Sequence, residues 1–271
     1  MNRDTPPDED EQYEGYRAAA EAAAGRMLII RTLDAGADKP IPYLDHGVEA
    51  NPFLGRRGIR LSLDHPDLFA AQLRAVLRAA ADHDNIAVMF PMVATLAELR
   101  RARESLDTAA ADLVAQGRPL GTPTVGVMIE VPSAALLADR LAAEVDFFSI
   151  GTNDLTQYVM AAERGNAALV DLVDTAHPAV VRLIAHVCGS AAEHGRWVGV
   201  CGEAAADPVT AALLVGLGVR ELSVAAPALG RIKAMVRSLD AAVFADVAAQ
   251  AVACSDAEQV RALVSAQLDP G

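Results

Sequence analysis

The chain is poor in the residues and motifs that define several large protein classes. Aromatic residues make up only 4 % of it, the three cysteines (Cys188, Cys201 and Cys254) lie far apart, and Lys39 and Lys233 are its only lysines. Three cysteines at such spacing give neither a disulfide framework nor a zinc site. No apolar run approaches the roughly 18 residues a membrane helix needs. The acidic N-terminus lacks the basic-then-apolar order of a signal peptide. These absences predict a cytoplasmic chain with no membrane insertion. A net charge of −13 argues against a nucleic-acid partner. Neither GxGxxG nor GxxxxGK[ST] occurs, so a nucleotide-binding open sheet loses its usual marker. The six histidines form no HExxH and no phosphate-carrier signature. His186 and His194 read as helix-face residues and His177-Pro178 as a helix start.

What is present is apolar punctuation. The chain has 271 residues, 52 % of them hydrophobic, enough for a sizeable core. After an acidic, Ala-rich lead-in helix (1–25), short apolar runs alternate with helical periodicity. Seven strand candidates stand out: Met27–Ile30, Gly58–Leu61, Ile86–Phe90, Val125–Ile129, Val145–Ile150, Trp197–Val200 and Glu221–Val224. Helices are expected near 66–81 (Leu68, Leu73, Val76 and Leu77 on one face), 95–115, 132–143, 178–194, 207–217, 229–238, 241–252 and 255–268. A polar loop is expected after Ile150. Strand then helix, repeated with short connections, means a parallel sheet with helical crossovers. The count favours a (β/α)8 TIM barrel spanning 26–238, with extra C-terminal helices over 239–271.

In a barrel the strand C-termini share one mouth, where reactive groups collect. Arg31, Arg57, Glu130, Asn153, Asp154, Cys201 and Glu203 all fall at or just past such ends. Glu130 and Asp154 end neighbouring strands, and two carboxylates so placed call for a proton or cation between them. Mg²⁺ suits them, since it takes one or two carboxylates plus substrate oxygens. Either carboxylate alone reads equally well as a helix cap. Arg31, Arg57 and Arg164 in an acidic protein suggest a small phosphate or carboxylate ligand. Spacing alone also allows Arg56, Arg57 and Arg60 to be a solvated basic loop, and Arg164 a surface residue. Cys201, at a strand end beside a helix start, can serve acid/base work or fill the core as a small apolar residue. Cys188 and Cys254 read as core.

Six stretches in one order carry a resemblance. They are Ile30-Arg31-Thr32-Leu33-Asp34, Asn51-Pro52-Phe53-Leu54-Gly55-Arg56-Arg57, Met89-Phe90-Pro91-Met92, Gly126-Val127-Met128-Ile129-Glu130, Phe147 to Gln157, and Cys201-Gly202-Glu203. Together they resemble the PEP-utilising enzyme family, closest to the C-terminal, PEP-binding domain of enzyme I of the bacterial phosphotransferase system. That family's fold is a TIM barrel. The resemblance implies that Glu130 and Asp154 ligate Mg²⁺, and that Arg31, Arg57, Asn153, Asp154 and Arg164 bind PEP. It implies that Cys201 protonates the enolate to give pyruvate. The phosphoryl group would pass to a histidine on a separate domain or chain, and through it to a phosphocarrier protein, in PEP-dependent sugar transport. A homodimer is also implied. Two features of the family are not found: its histidine-bearing N-terminal domain, and a first-strand motif of the type Gly-Leu-Leu-Arg-Thr-Glu-Phe. The expectation is therefore a barrel lacking its first strand. PEP synthase or pyruvate phosphate dikinase would use the same barrel. A non-catalytic truncated barrel acting in dimerisation or regulation is the third reading.

Overall fold

Apolar runs that stop at a polar residue become parallel strands here, and each strand is followed by a helix. The computed structural model describes residues 4–45 and 47–268. These fall into two units, divided between Met128 and Ile129.

In the first unit α1 (Glu9–Ala22) leads to β1 (Leu28–Arg31), α2 (Ile59–Asp64), α3 (Pro66–Asp82), β2 (Ile86–Phe90), α4 (Leu96–Ala115) and all but the last residue of β3 (Thr124–Ile129). β1 pairs with β2, Leu28 opposite Ile86, and β2 with β3, Ala87 opposite Thr124, both in parallel. Every residue of β2 is buried, as in a strand covered on both faces. α3 supplies Phe69, Leu73, Val76 and Leu77 to the core. Leu68, expected on that face, is only half-buried, and Phe69 takes its place. Glu9 accepts hydrogen bonds from Arg74, Arg78 and Arg118, which fasten α1 beside α3. Thr95 and Glu98 form a reciprocal capping box that starts α4.

The second unit holds α5 (Pro132–Leu136), α6 (Ala138–Ala142), β4 (Phe147–Gly151), α7 (Thr152–Met160), α8 (Pro178–Glu193), β5 (Trp197–Cys201), α9 (Pro208–Gly216), β6 (Glu221–Leu222), α10 (Ala226–Ser238), α11 (Ala241–Ala251) and α12 (Ala257–Leu268). β4 pairs in parallel with β5, Gly151 opposite Cys201, and β5 with β6, Gly199 opposite Glu221. At the start of β4 and β5 the Phe147 and Trp197 rings stack, 4.5 Å apart and 3° from parallel. α11 and α12 pack on α9 through Phe244, Val247, Val260, Val264 and Leu213. Burying each such side chain stabilises by about 2 kcal/mol, so the last two helices belong to this unit's core.

Six strands are present among the described residues, against seven candidates. Gly58–Leu61 is not a strand: Ile59 opens α2. Gly58 sits at φ +58°, where a side chain's Cβ would lie 2.7 Å from Met92 Cβ. Its N–H donates to Ala35 O and that of Ile59 to Pro91 O, so the chain turns sharply there. The expected polar loop after Ile150 begins instead as α7, nine residues long. Asp154 in its first turn favours that end of the helix dipole, and Ala161 at φ +50° closes it. The single helix expected over 132–143 is two short ones, broken at Leu137.

Candidate active site

In the second unit polar groups gather just past strand ends. Glu130 directly follows β3 and is 1 % exposed. α5 begins two residues later and packs against α7, whose first turn carries buried Asp154. Thr152 Oγ1 donates to the Cys201 carbonyl at 2.9 Å, and Asn153 Oδ1 accepts from the Glu203 N–H at 3.0 Å. Gly202 lies between them at φ +105°; a Cβ there would be 2.4 Å from Thr152 Oγ1. Glycine is therefore required, and the close fit holds the backbone of half-buried Cys201 against the α7 N-terminus.

Ala161 reverses the chain so that Arg164 folds back. Its N–H donates to Gln157 Oε1 at 3.0 Å, and its Nη2 lies 3.6 Å from Asp154 Oδ1. The surface reading of Arg164 is thereby replaced by an ion pair. Asn153, Asp154, Arg164 and Cys201, all expected from sequence, thus meet over one turn of helix. A cavity of about 420 Å³ opens beside them, lined among others by Asn153, Thr156, Arg164, Glu203, Asp174 and Arg261. That size is ordinary for a small-molecule site.

Glu130 and Asp154 have the chemistry to hold a cation. Both are buried carboxylates, and hard oxygen donors in pairs match Mg²⁺. Among the described residues no three His, Cys, Asp or Glu side chains form a metal cage. An ion here would complete its shell with substrate and water oxygens, as Mg²⁺ characteristically does. The donor set fits.

The first unit carries the two expected arginines around a carboxylate that sequence reasoning left unassigned. Arg57 is fully buried, with Nη2 3.4 Å from Asp34 Oδ1 and Nη1 3.1 Å from Asp38 Oδ2. A solvated basic loop is thus excluded for Arg57, while exposed Arg56 pairs with Asp64 at 2.7 Å. Arg31, half-exposed, approaches Asp34 at 3.6 Å, and Lys39 Nζ lies 3.3 Å from the same carboxylate. Burial pushes the Asp34 carboxyl up, but Arg57, Lys39 and Arg31 outweigh it and hold it below the ordinary carboxylate range. Asp34 is legible in the sequence only as the end of the Ile30-Arg31-Thr32-Leu33-Asp34 stretch. Its fifth neighbour on, Lys39, had no marker at all.

The remaining expectations hold in part. His177 caps α8, accepting from the Ala179 N–H, and His194 stays local to its helix, 3.0 Å from Ser190 O. Cys188 is buried, and burial pushes its thiol up to about 12. Cys254 lies between α11 and α12 and is half-exposed.

Carboxylates, an amide and a thiol grouped at parallel-strand ends define an α/β domain of the kind that carries its active site at the strand C-termini. A family profile described as the PEP-binding domain of PEP-utilising enzymes matches residues 1–241. The chain belongs to the PEP-utilising enzyme family. It is 53 % identical over 251 residues to a phosphoenolpyruvate-protein phosphotransferase of Haloferax volcanii, covering 92 % of this chain and 44 % of that protein. A multiphosphoryl transfer protein of Rhodobacter capsulatus is 50 % identical over 263 residues, covering 97 % of this chain and 31 % of that one. A phosphoenolpyruvate-protein phosphotransferase of Staphylococcus carnosus is 45 % identical over 265 residues, 97 % of this chain and 46 % of that one. The chain therefore spans less than half the length of these relatives. No helix among the described residues is long and apolar enough to cross a membrane.

Proposed function

We propose that this chain is the PEP-binding part of a phosphoenolpyruvate–protein phosphotransferase. It binds PEP with Mg²⁺, gives the phosphoryl group to a histidine on a separate domain or chain, and releases pyruvate. That histidine then serves a phosphocarrier protein in sugar transport. The chain works in the cytoplasm as a homodimer, and its fold is a TIM barrel.

Glu130 and Asp154 hold the metal, which when bound offsets negative charge on the phosphoryl and carboxylate oxygens. Asn153 and Arg164 orient the substrate; Arg164 exchanges part of its pairing with Asp154 for the anion. Arg31 and Arg57 serve the phosphate. Arg31 is the more available, and buried Arg57 brings a guanidinium already oriented by Asp34 and Asp38. In the reaction the bridging P–O bond breaks and a P–N bond to histidine forms. The electron pair left on the enolate takes a proton at its terminal carbon from the Cys201 thiol, and water restores that proton.

The observation that carries this reading is the latch that ties the Cys201 carbonyl and the Glu203 N–H to Thr152 and Asn153, in the helical turn that carries Asp154. The test mixes the chain with PEP, Mg²⁺ and a separately supplied histidine domain. Phosphohistidine and pyruvate are expected. Cys201→Ala should keep PEP affinity but slow pyruvate release by roughly 10²–10⁴-fold, the range for a lost general acid. Glu130→Gln should abolish Mg²⁺-dependent PEP binding by calorimetry. A Glu130→Gln chain that binds Mg²⁺–PEP like the native one would refute the metal assignment.

A further inference from the structure

Arg261 lies on α12, beyond the residues 1–241 that match the family profile, yet it reaches the cavity shared with Asn153 and Arg164. Its guanidinium makes three charge-assisted hydrogen bonds. Nε and Nη2 grip the two oxygens of Asp174 at 2.7 and 2.8 Å, and Nη1 donates to Asp207 Oδ2 at 2.8 Å. A planar fork with several donors can join two carboxylates in this way; a single ammonium cannot reproduce it.

The two carboxylates stand on different segments. Asp174 belongs to the stretch that follows β4 and α7. Its neighbour Thr175 shares a 3.1 Å hydrogen bond with Thr156, one helical turn from Asn153, so the two α7 side chains lie on one face. Asp174 Oδ1 also accepts from the Ala176 N–H at 2.9 Å, within the turn that starts α8. Arg164 opens the same stretch. Asp207 belongs to the segment that follows β5: Cys201, Gly202 and the turn Glu203–Ala206 precede it. Burial pushes the Asp207 carboxyl up, but the Thr210 hydroxyl and Arg261 outweigh it and hold it low. Behind Arg261, Val260 and Val264 of α12 are completely buried, so the guanidinium extends from a fixed support.

We propose that Arg261 is a positioning residue: the C-terminal helix clamps the segment bearing Asn153, Asp154 and Arg164 to the segment bearing Cys201 and Glu203. Its effect on PEP binding rests on the function proposed above, whereas the clamp itself can be read without PEP. Because Arg261 is 40 % exposed, the ion pairs add little to global stability. Their effect is local order, and this separates the clamp from a general prop.

The test is amide hydrogen exchange on the whole chain, native, Arg261→Met and Arg261→Lys, with calorimetric PEP titration in Mg²⁺. Methionine keeps the apolar stem, so the fold should persist. In Arg261→Met, peptides covering 162–177 and 202–207 should exchange roughly tenfold faster by local opening, with the first unit unchanged. PEP affinity should fall about tenfold through misplacement of the binding groups. Arg261→Lys should lie between. Unchanged exchange in those two segments, or loosening of α12 alone, overturns the proposal. So does loosening of both segments with native PEP affinity. If the native chain takes up no PEP, the proposed function falls and the exchange arm alone decides the clamp.

Discussion

Asp34 lies 3.3 to 3.6 Å from Lys39, Arg57 and Arg31, and its carboxylate is almost entirely withdrawn from solvent. Replacing it with asparagine removes one of the two carboxylates that face buried Arg57. Loss of one partner from a buried ion cluster is costly, so Asp34→Asn should lower stability by about 3 kcal/mol, read from urea unfolding at pH 7. The pH dependence follows from the depressed folded-state value. The contribution is complete above the ordinary carboxylate value of 3.8 and disappears as pH falls through the lower folded value. The native and Asp34→Asn curves should therefore converge in acid. A gap that does not narrow on acidification below the ordinary carboxylate range would refute the assignment. At this scale the sequence was only partly informative. Arg31 ends an apolar run and draws attention by that alone. Arg57 looked like one of several loop arginines, because its partners Asp34 and Asp38 stand far back along the chain and only the folded loop brings them to it. Arg261 carried no signal at all, since what defines it is contact with Asp174 and Asp207, distant in sequence.

Among the elements, α7 shows where pattern reading stops. Gly151-Thr152-Asn153-Asp154 has the composition of a loop, since these residues are poor helix formers in an interior. They are nonetheless good at a helix start, where side-chain and carboxylate groups meet exposed N–H groups. The strands, by contrast, were legible because buried parallel strands need uninterrupted apolar runs, and Ile86–Phe90 and Phe147–Gly151 supply them. Gly58–Leu61 imitated such a run only by its two branched side chains and the glycine before them. α7 closes on Ala161 in the left-handed region, a conformation that costs an L-residue about 1 kcal/mol. Ala161→Gly should accordingly gain up to about 1 kcal/mol by chemical denaturation, net of the added freedom of the unfolded chain. A loss of stability would mean that the alanine methyl group packs against something of greater value.

For the whole molecule, the alkaline limb of stability is set in part by Cys188. Its folded value of about 12 stands above the ordinary 9.0 because burial disfavours the thiolate. A raised folded value means the contribution is full below pH 9 and lost as pH rises towards 12, because the unfolded chain ionises first. The stability difference between the native chain and Cys188→Ala should shrink over that interval and be constant from pH 6 to 8. A flat difference up to pH 11 would show that the thiol is not shielded.

The stacking of Trp197 on Phe147 has a use of its own. Trp197 is the only tryptophan in the chain, and it stands at the beginning of the strand that ends in Cys201. Its fluorescence is therefore a private signal from the second unit, to which the first contributes nothing. Far-ultraviolet dichroism, fed by helices of both, supplies the sum. Denaturation followed by the two signals together should show whether the halves melt as one cooperative body or in succession.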